Sequence, residues 1–532
     1  MKLSTLLKTV APLGVSGINR AEAEHILGPE SVGAFGPDIS SIHYRSQDVK
    51  PGGLFVAIPG HTVDGHEYID EVLQRGAVAI VTQKPAQKES IIIEVENSRR
   101  ALAEISCQFY DNPSEKLFVI GITGTNGKTT TAFLIESILA AAGYQVGVIG
   151  TINYRYMGIA FENTVTTPES LDLQRILSEM LNNGVSHVVL EVSSHAVDLD
   201  RIDGCRFDIG VFTNLTQDHL DYHGNMHNYW TCKKKFFTGN LSQGPKDQKA
   251  AAVVCCNNSK GKELLKTLAI QTLSVGYSKN HMVRSHNIKA ALSGISGEIS
   301  TPAGDFKFNS SLVGTHNLEN ILCAAGVGIV LNLSLDIIQA GIENLTGVPG
   351  RLESIANDLD RFVCVDYAHT PDALKNVLSS LRLISDRRII CVFGCGGDRD
   401  KDKRPQMGEI AGRICDLAII TSDNPRTEDP LKIISQILEG LKLTSSSEFT
   451  AADLITGFTK KGHVVEPNRR QAIQLGITVS RTGDIVLIAG KGHETYQIIG
   501  KQTVPFDDRL EAQKALAAQT FKNRQTADSH QC

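Results

Sequence analysis

The sequence predicts an α/β protein of about three domains, because of its length, its alternation of strands and helices, and one glycine-rich loop. A chain of 532 residues divides into about three domains of ~100–200 residues each. Short runs rich in β-branched residues alternate with helical stretches, as in doubly wound sheets. The segment 121–130 is glycine-rich and lies between a predicted strand and a predicted helix, which is the order found in phosphate-binding loops.

Composition and charge exclude several classes of protein. Hydrophobic residues make up 41% of the chain and the formal net charge is −5, so no basic bias points to a nucleic-acid partner. The first residues are a poor signal peptide, and no run approaches the ~18 apolar residues of a membrane span. The eleven cysteines are odd in number and favour a reducing compartment. We therefore expect a soluble, cytoplasmic protein without membrane insertion.

Residues 1–97 predict a small N-terminal α/β domain. A helical stretch separates two short apolar runs at 53–60 and 77–83, which read as strands. Residues 99–111 read as a helix that connects this domain to the next.

Residues 98–347 predict a central domain with a doubly wound, largely parallel sheet. A helix is expected from about Thr129 to Ala142, with Gly143 as its C-terminal stop. The predicted strands of this region are 117–123, 144–150, 187–192 and 208–215.

Residues 348–532 repeat the alternation and predict a third α/β domain. The segment 347–351, GVPGR, is expected to be the hinge before it. Its predicted strands are 361–367, 387–394, 417–423 and 484–490.

The glycine-rich loop predicts an ATP site. Backbone N–H groups of such a loop, together with the helix N-terminus, surround phosphate oxygens. Lys128 is expected to neutralise the β- and γ-phosphates, and the Thr129 hydroxyl to bind Mg²⁺. Ile122 stands where the first glycine of the usual pattern belongs, and a turn with a helix cap is the alternative. The predicted ATP-binding residues of the loop are Gly124, Thr125, Asn126, Gly127, Lys128, Thr129 and Thr130.

Polar residues follow the next strands. Glu191 ends a predicted strand and would share Mg²⁺ with Thr129, the alternative being a capping or salt-bridged glutamate. Residues 214–224 concentrate ionisable groups at a strand exit, although His219 alone is more typical of a structural histidine. On charge pattern alone, the run Lys233–Lys235 reads as a solvated basic turn.

Ordered motifs from about Ser46 to Arg509 resemble those of one family, the Mur ligases. They are TGTNGKTT, TTPES, EVSSHA, FTNLTQDHLDYHG, GTHNLEN, GVPGRLE, DYAHTPDAL, FGCGGDRDKDKRP, DNPR and GKGHE. The resemblance implies an N-terminal domain that holds uridine diphosphate, a central P-loop ATPase domain and a C-terminal Rossmann-like domain that binds the amino acid.

The resemblance also implies a reaction. The chain is expected to be a monomer that acts on small molecules in peptidoglycan precursor synthesis, as an ATP-dependent amide ligase. It would add meso-diaminopimelate to UDP-N-acetylmuramoyl-L-alanyl-D-glutamate through an acyl phosphate. A lysine-adding ligase of the same family remains an alternative, as does a P-loop kinase or NTPase. A folate polyglutamate ligase is a more distant alternative, against which the GKGHE and DNPR segments and the long N-terminal domain argue. The segment Gly394–Gly397 could suggest a dinucleotide oxidoreductase. This segment lacks the full glycine pattern of a dinucleotide-binding loop, so it is a weak indication.

The resemblance changes the interpretation of Lys233. It makes Lys233 the position of a lysine carbamylated by CO₂, which would hold a second Mg²⁺ together with His219. The order Tyr229-x3-Lys233-x2-Phe236-Phe237 selects Lys233 over its two lysine neighbours. The implied catalytic residues are Lys128, Glu191, His219 and Lys233.

Further residues match substrate positions of the family. The implied contacts of ATP outside the loop are Asn317, Asn320, Arg351 and Asp366. Those of the UDP-muramoyl-dipeptide are Ser46, His61, Thr166, Thr167, Ser193 and Arg201. Asn317 could instead cap its helix and Asp366 form a strand-end turn. The family's usual Asp-Ser-Arg reads Arg45-Ser46-Gln47 here.

The DNPR segment is expected to select the amino acid. It follows a strand, and ligands bind at the carboxyl ends of parallel strands; a strand-exit turn is the alternative. The Arg426 guanidinium can grip the distal carboxylate of diaminopimelate with two hydrogen bonds, and Glu494 can pair with the distal ammonium. The implied diaminopimelate-binding residues are Arg399, Asp423, Asn424, Pro425, Arg426, Gly490 and Glu494.

Overall fold

A computed structural model describes residues 1–19, 23, 35–60, 63–86, 88, 90–242 and 250–529. These residues form sheets of five, eleven and seven strands and a two-stranded ribbon. The strands are β1 Pro12–Ser16, β2 Ser41–His43, β3 Gly53–Val56, β4 Ala79–Thr82, β5 Ile91–Val95, β6 Phe118–Thr123, β7 Val146–Ile149, β8 Tyr154–Tyr156, β9 Ile159–Phe161, β10 His187–Glu191, β11 Ile209–Phe212, β12 Ala251–Cys255, β13 Gln271–Gly276, β14 Val283–Ala291, β15 Gly294–Thr301, β16 Gly304–Ser310, β17 Glu353–Ile355, β18 Phe362–Asp366, β19 Ile389–Phe393, β20 Leu417–Ile420, β21 Ser447–Glu448, β22 Gly462–Val465, β23 Ile485–Ala489, β24 Tyr496–Ile499 and β25 Gln502–Pro505.

Helices cover the sheets. The α-helices are Leu3–Leu6, Ile69–Gln74, Ser98–Phe109, Pro113–Lys116, Lys128–Ala141, Ser170–Asn182, Ser194–Asp198, Leu220–His223, Met226–Lys235, Ser259–Thr267, Asn317–Val330, Leu335–Asn344, Pro371–Ile384, Lys403–Ile414, Pro430–Leu441, Ala451–Thr456, Arg469–Val479 and Asp508–Ser529. Two 3₁₀ turns and one π-helical turn occur at Ser46–Asp48, Gly65–Tyr68 and Phe236–Leu241. Among the described residues, no helix is both long and apolar enough to span a membrane.

The first sheet has the strand order β1-β5-β4-β3-β2. Its strands are parallel except β1, which pairs antiparallel with β5. Leu54 and Val56 pack with Leu102 and Ile105 of the predicted connecting helix in one core cluster. Tyr44 donates a hydrogen bond to Asp172 in the helix that follows TTPES, at 2.7 Å, which joins this sheet to the central one.

The central sheet has the order β16-β15-β14-β13-β12-β11-β6-β10-β7-β8-β9. Strand β6 lies between β10 and β11 and is parallel to both, so the loops that leave these three strands meet at one edge. Ile120 and Ile122 belong to the core cluster on one face, and Val119 to the cluster on the other. This alternation shows that helices bury both faces of the sheet.

The third sheet has the order β17-β18-β23-β19-β20-β22-β21 and is parallel except at β17. The DNPR segment follows β20 and GKGHE follows β23, so both lie at the carboxyl edge of this sheet. Every strand and helix predicted from the sequence is confirmed in position. Gly143, with φ of +84°, follows the end of helix Lys128–Ala141 as expected.

Candidate active site

The glycine-rich loop after β6 has a shape that only glycine permits at two positions. Gly124 and Gly127 have φ angles of +151° and +87°. A β-carbon would lie 1.9 Å from Thr213 Oγ1 at the first position and 2.2 Å from Asn320 Oδ1 at the second. The backbone therefore turns tightly into the helix that begins at Lys128, which leaves the first N–H groups of that helix available to an anion.

The loop is fixed from the end of β11. Asn126 N donates to Asn214 Oδ1 at 2.9 Å, and Thr213 Oγ1 donates to the Asn126 carbonyl at 2.7 Å. Lys128 Nζ folds back and donates to the carbonyls of Gly124 and Thr125, each at 2.8 Å. Burial lowers the pKa of Lys128 from its ordinary value. The loop is thus held in place with its cation aligned along it.

Oxygen atoms converge where β10 ends beside the loop. Glu191 is 1% exposed. Its carboxylate accepts hydrogen bonds from Thr129 Oγ1 at 3.1 Å and from Thr151 Oγ1 at 2.9 Å. Among the described residues, no group of three or more His, Cys, Asp or Glu could hold a metal unaided. A Mg²⁺ at this point would rely on Thr129, Glu191 and phosphate oxygens, a ligand set typical of that ion.

Lys233 differs from the two lysines beside it. It is 1% exposed, its Nζ donates to the Gly124 carbonyl at 2.9 Å, and it lies 4.6 Å from the centre of the Tyr229 ring. Lys234 and Lys235 have side chains 30% and 51% exposed and lie 3.6 and 3.2 Å from Glu263 and Asp200. A solvated basic turn is therefore the wrong interpretation of Lys233.

The surroundings of Lys233 favour its neutral amine. Burial holds the pKa of Lys233 well below its ordinary value, and the nearby positive charge of Lys128 lowers that pKa further. Both lysines donate to the same carbonyl, that of Gly124. Burial and the neighbouring cation therefore both disfavour the charged form of Lys233.

His219 lies in a group of histidines at the exit of β11. Its φ is +53°, its Nε2 is 3.5 Å from Asp218 Oδ2, and its ring centre is 4.9 Å from that of His195. Burial lowers the pKa of His219, and lowers that of His195 to about 4. Both imidazoles are therefore neutral near pH 7, which is the form that binds metals.

Several predicted dipeptide residues adjoin Glu191. Thr167 Oγ1 donates to the Glu191 carbonyl at 2.7 Å and accepts from Ser193 N at 3.0 Å. Arg201 Nη1 donates to the Thr167 carbonyl at 3.2 Å, and Thr166 Oγ1 lies 3.1 Å from Thr151 Oγ1. The structure thus brings Thr166, Thr167, Ser193 and Arg201 together beside the phosphate loop.

The remaining residues predicted for this substrate belong to the first sheet region. Ser46 begins the 3₁₀ turn Ser46–Asp48 after β2. Its neighbour Arg45 packs over the Tyr44 ring at 5.1 Å, and the Gln47 carbonyl accepts from Arg75 Nη1 at 3.2 Å. His61 lies outside the described residues.

Arg351 connects segment 347–351, which the sequence predicts to be a hinge, to the phosphate loop, because its Nη2 donates to Thr129 Oγ1 at 3.3 Å. Asp366 accepts hydrogen bonds from Leu352 N at 2.7 Å and Ala368 N at 2.8 Å. These are the contacts of a strand-end turn, the alternative interpretation of this residue. Its predicted contact with the nucleotide stays a prediction.

Asn317 and Asn320 form a buried pair beside the loop. Asn320 Nδ2 donates to Asn317 Oδ1 at 2.8 Å, and Asn317 Nδ2 donates to the Val313 carbonyl at 2.7 Å. Asn317 is the first residue of its helix and His316 is the N-cap, so Asn317 does not cap the helix. Contact of the pair with adenine stays a prediction.

The residues predicted to bind diaminopimelate lie at the carboxyl edge of the third sheet. Asn424 Nδ2 donates to Glu494 Oε2 at 3.0 Å, and a β-carbon on Gly490 would lie 2.5 Å from Asp423 Oδ2. Arg426 has φ of +50° and donates from Nη1 to the Gly397 carbonyl at 2.9 Å. We call Asp423, Asn424, Arg426, Gly490 and Glu494 the amino-acid cluster.

The FGCGG segment faces this cluster. A β-carbon on Gly396 would lie 3.0 Å from Arg426 Nη1 and 3.8 Å from Arg399 Cγ, so both arginines approach this glycine. Pro425 is buried. Arg399 also lines a cavity of about 440 Å³ with Asp221, which comes from the region of the central sheet. The two parts of the chain therefore meet at a cleft next to the amino-acid cluster.

Sequence reasoning gave no role to two buried cations in the quoted motifs. Lys491 of GKGHE is 0% exposed and donates to Asn424 Oδ1 at 3.1 Å and Glu494 Oε2 at 3.0 Å. Arg404 of the RDKDKRP segment is 0% exposed and donates to both carboxylate oxygens of Glu428. Their place inside the quoted motifs was the signal that could have found them.

Three family models match successive parts of the chain. A Mur ligase family catalytic-domain model matches residues 38–110, the Mur ligase middle domain matches 122–328, and the Mur ligase glutamate ligase domain matches 350–492. A diaminopimelate ligase, UDP-N-acetylmuramoyl-L-alanyl-D-glutamate–2,6-diaminopimelate ligase of Geobacter metallireducens, is 47% identical over 93% of this chain and 97% of its own length. The chain belongs to the Mur ligase family.

Further relatives agree with this assignment. The ligase of the same name from Geobacter sulfurreducens is 44% identical over 96% of this chain and 98% of its own. A solved structure of a ligase of that name is 29% identical over 91% of this chain and 95% of its own, with a TM-score of 0.64. The Mur ligase described here therefore has the three-domain α/β fold of its family and is an ATP-dependent amide ligase, so the kinase and oxidoreductase alternatives are wrong.

Proposed function

We propose that this Mur ligase joins the γ-carboxylate of UDP-N-acetylmuramoyl-L-alanyl-D-glutamate to an amine of meso-diaminopimelate, as a step of peptidoglycan precursor synthesis. The amino-acid cluster is the observation that carries the proposal. It sets a guanidinium, Arg426, beside Asn424, whose amide donates to the Glu494 carboxylate at 3.0 Å. A carboxylate and an ammonium on one carbon are complementary to such a pair of opposite charges. Relatives at 47% and 44% identity carry the name of this activity.

The proposed reaction has two steps. A γ-carboxylate oxygen attacks the γ-phosphorus of ATP, ADP leaves, and an acyl phosphate forms. The amine then attacks the acyl carbon, and the tetrahedral intermediate expels inorganic phosphate and leaves the amide. Lys128, aligned along the loop by the carbonyls of Gly124 and Thr125, stabilises negative charge on the transferred phosphoryl group.

We propose that Thr129 and Glu191 hold one Mg²⁺, and that His219 and a carbamate on Lys233 hold a second. The converging oxygens of Thr129 and Glu191 suit this ion. When bound, the two ions supply electrostatic stabilisation of the transferred phosphoryl group. ATP contacts at Asn317, Asn320, Arg351 and Asp366 are part of the same proposal.

The lowered pKa of the Lys233 side chain supports the proposed carbamate. Only an unprotonated amine attacks CO₂, forming an N–C bond and releasing a proton to water. Burial favours that form, because it lowers the pKa of Lys233 well below its ordinary value. The product is an anionic oxygen ligand, whereas an ammonium in the same place would repel Mg²⁺.

Each of the three parts of the chain is assigned one substrate. We propose that residues 1–97 bind the uridine diphosphate, 98–347 bind ATP, and 348–532 bind diaminopimelate. The dipeptide end of the nucleotide would lie against Thr166, Thr167, Ser193 and Arg201. We propose a cytoplasmic monomer, and the ten described cysteines, all of them buried, fit a reducing compartment.

The dependence of ADP release on the dipeptide and on the amino acid supplied tests the proposal. The purified protein would be mixed with ATP, the UDP-muramoyl-dipeptide and a panel of amino acids. We expect steady ADP release only when the dipeptide and meso-diaminopimelate are both present. Steady ADP formation without any amino acid, or equal rates with lysine, would contradict the proposal.

Lys128→Ala is expected to lower kcat ~10²–10³-fold, as does loss of one electrostatic group aimed at a transition state. The variant keeps the loop glycines, so its thermal unfolding should stay near that of the parent. Coupled ADP release gives kcat. Lys116→Ala is a control, because that lysine is 49% exposed and pairs with Asp111 at the surface. An unchanged kcat in folded Lys128→Ala would remove Lys128 from the mechanism.

A further inference from the structure

A fully buried lysine stands inside the amino-acid cluster without a part in the proposed reaction. Lys491 is 0% exposed. Its Nζ donates to Asn424 Oδ1 at 3.1 Å and to Glu494 Oε2 at 3.0 Å, and it lies 3.8 Å from Asp423 Oδ1. A buried ammonium is costly unless it is paired and hydrogen-bonded. All three of its partners are residues of the cluster, so Lys491 and the cluster are organised together.

Lys491 decides how the Asn424 amide is oriented. Asn424 Oδ1 accepts from Lys491 Nζ and from Ile498 N at 3.0 Å. With its oxygen occupied by two donors, the amide can present only its NH₂ group to Glu494 Oε2. Loss of the lysine removes one of the two donors to Asn424 Oδ1, and it removes one of the two donors to Glu494 Oε2 as well.

Lys491 also balances the charge of the cluster. Asp423 and Glu494 are anionic, while Arg426 and Lys491 are cationic. The cluster and Lys491 together are therefore neutral, and the distal end of diaminopimelate, a carboxylate and an ammonium on one carbon, is neutral too. Without Lys491 the cluster would carry an excess negative charge, which repels the carboxylate of the substrate.

We propose that Lys491 is a positioning residue for the amino-acid substrate, acting through the orientation of Asn424 and Glu494 and through the charge of the cluster. This inference rests on the proposed function, because it takes the cluster to be the binding site of diaminopimelate.

Lys491→Met tests the inference, since methionine has a similar length and no charge. We expect KM for meso-diaminopimelate to rise ~10–100-fold, by analogy with the loss of residues that orient the ligands of a metal site. KM for ATP and for the UDP-muramoyl-dipeptide should stay unchanged. Lys514→Met is the matched control: Lys514 also lies 3.0 Å from a glutamate three residues away, Glu511, but its side chain is 67% exposed. It should change no kinetic constant.

A double variant separates positioning from general damage to the fold. Asp423→Asn removes one anion and restores the charge balance that Lys491→Met disturbs. The losses of the two single variants in kcat/KM should therefore not multiply in the double variant, as they would for independent sites. If Lys491→Met does not fold, Lys491→Gln, which keeps a hydrogen-bond donor but loses the charge, is expected to raise KM for meso-diaminopimelate by a smaller factor.

Three outcomes would overturn the inference. They are an unchanged KM for diaminopimelate, an equal rise of KM for all three substrates, and fully multiplicative losses in the double variant. Each would leave the proposed function in place if the unmodified protein forms the diaminopimelate amide. If the unmodified protein forms no such amide, the proposed function itself fails, and the inference fails with it.

Discussion

The protein is expected to use meso-diaminopimelate with a kcat/KM ~10⁴–10⁵-fold above that for lysine, as do sites built around a substrate group that the analogue lacks. Lysine has no distal carboxylate and would leave the Arg426 guanidinium desolvated and unpaired. Arg426 is held for this purpose by its own contacts: its backbone N donates to the Ile498 carbonyl at 3.1 Å, and its Nη1 donates to the Gly397 carbonyl at 2.9 Å. Rates of ADP release with each amino acid give the ratio.

Arg426→Ala is expected to abolish most of this preference through loss of diaminopimelate use. Arg426→Lys should rescue poorly, since an ammonium lacks the planar fork that meets a carboxylate with two hydrogen bonds. Arg413→Ala is a suitable control, because Arg413 lies in the same region with its side chain 62% exposed. Comparable kcat/KM values for the two amino acids in the unmodified protein would overturn this role of the DNPR segment.

Lys233→Ala is expected to lower kcat by ~10³-fold, near the upper end of the effect of one electrostatic group at a transition state. The variant loses the carbamate and, with it, the second Mg²⁺. Lys234→Ala is the control within the same helix, because its side chain is 30% exposed and lies 3.6 Å from Glu263 at the surface. It should keep nearly full activity.

Incubation with ¹³CO₂ provides the direct readout of the carbamate. A carbamate resonance should appear in the NMR spectrum of the unmodified protein and be missing from Lys233→Ala, but not from Lys234→Ala. A crystal with bound nucleotide that shows a plain ammonium at Lys233 would contradict the assignment.

The parallel core of the fold could be predicted because its strands are continuous apolar runs, whereas the antiparallel additions could not. In β16 the burial alternates between exposed and buried residues from Asp305 to Ser310, a pattern that gives a strand but not its partner. The hairpin β8–β9 is short, and Ile159 is 56% exposed. Neither pattern indicates that these strands extend the central sheet at its two ends.

Some residues of the candidate site could be predicted from the sequence, and others could not. Local motifs identify Lys128, Thr129 and Glu191, because each follows directly from a strand end or a loop. Charge pattern cannot tell which lysine of 233–235 points inward, since that depends on how the helix packs against Tyr229 and the loop. Lysine is rarely fully buried, which is why composition gave no reason to single out Lys491.

The glycines of segment 394–397 show that the function of a motif depends on what packs against it. A β-carbon on Gly397 would lie 1.9 Å from the Pro425 carbonyl oxygen, and one on Gly394 would lie 2.3 Å from the Thr421 carbonyl oxygen. These glycines allow the segment to pack closely against the strand β20 and the DNPR turn. Their spacing therefore reflects a contact within the protein rather than a dinucleotide.

The most direct test of the proposed ligase reaction follows one oxygen atom. The UDP-muramoyl-dipeptide would carry ¹⁸O in its glutamyl γ-carboxylate and react with ATP and meso-diaminopimelate, and the products would be analysed by mass spectrometry. We expect one amide per ADP, with one ¹⁸O transferred to each inorganic phosphate, because the acyl phosphate breaks between its acyl carbon and the bridging oxygen. Phosphate free of ¹⁸O, or a phosphorylated dipeptide that persists when the amine is present, would contradict it.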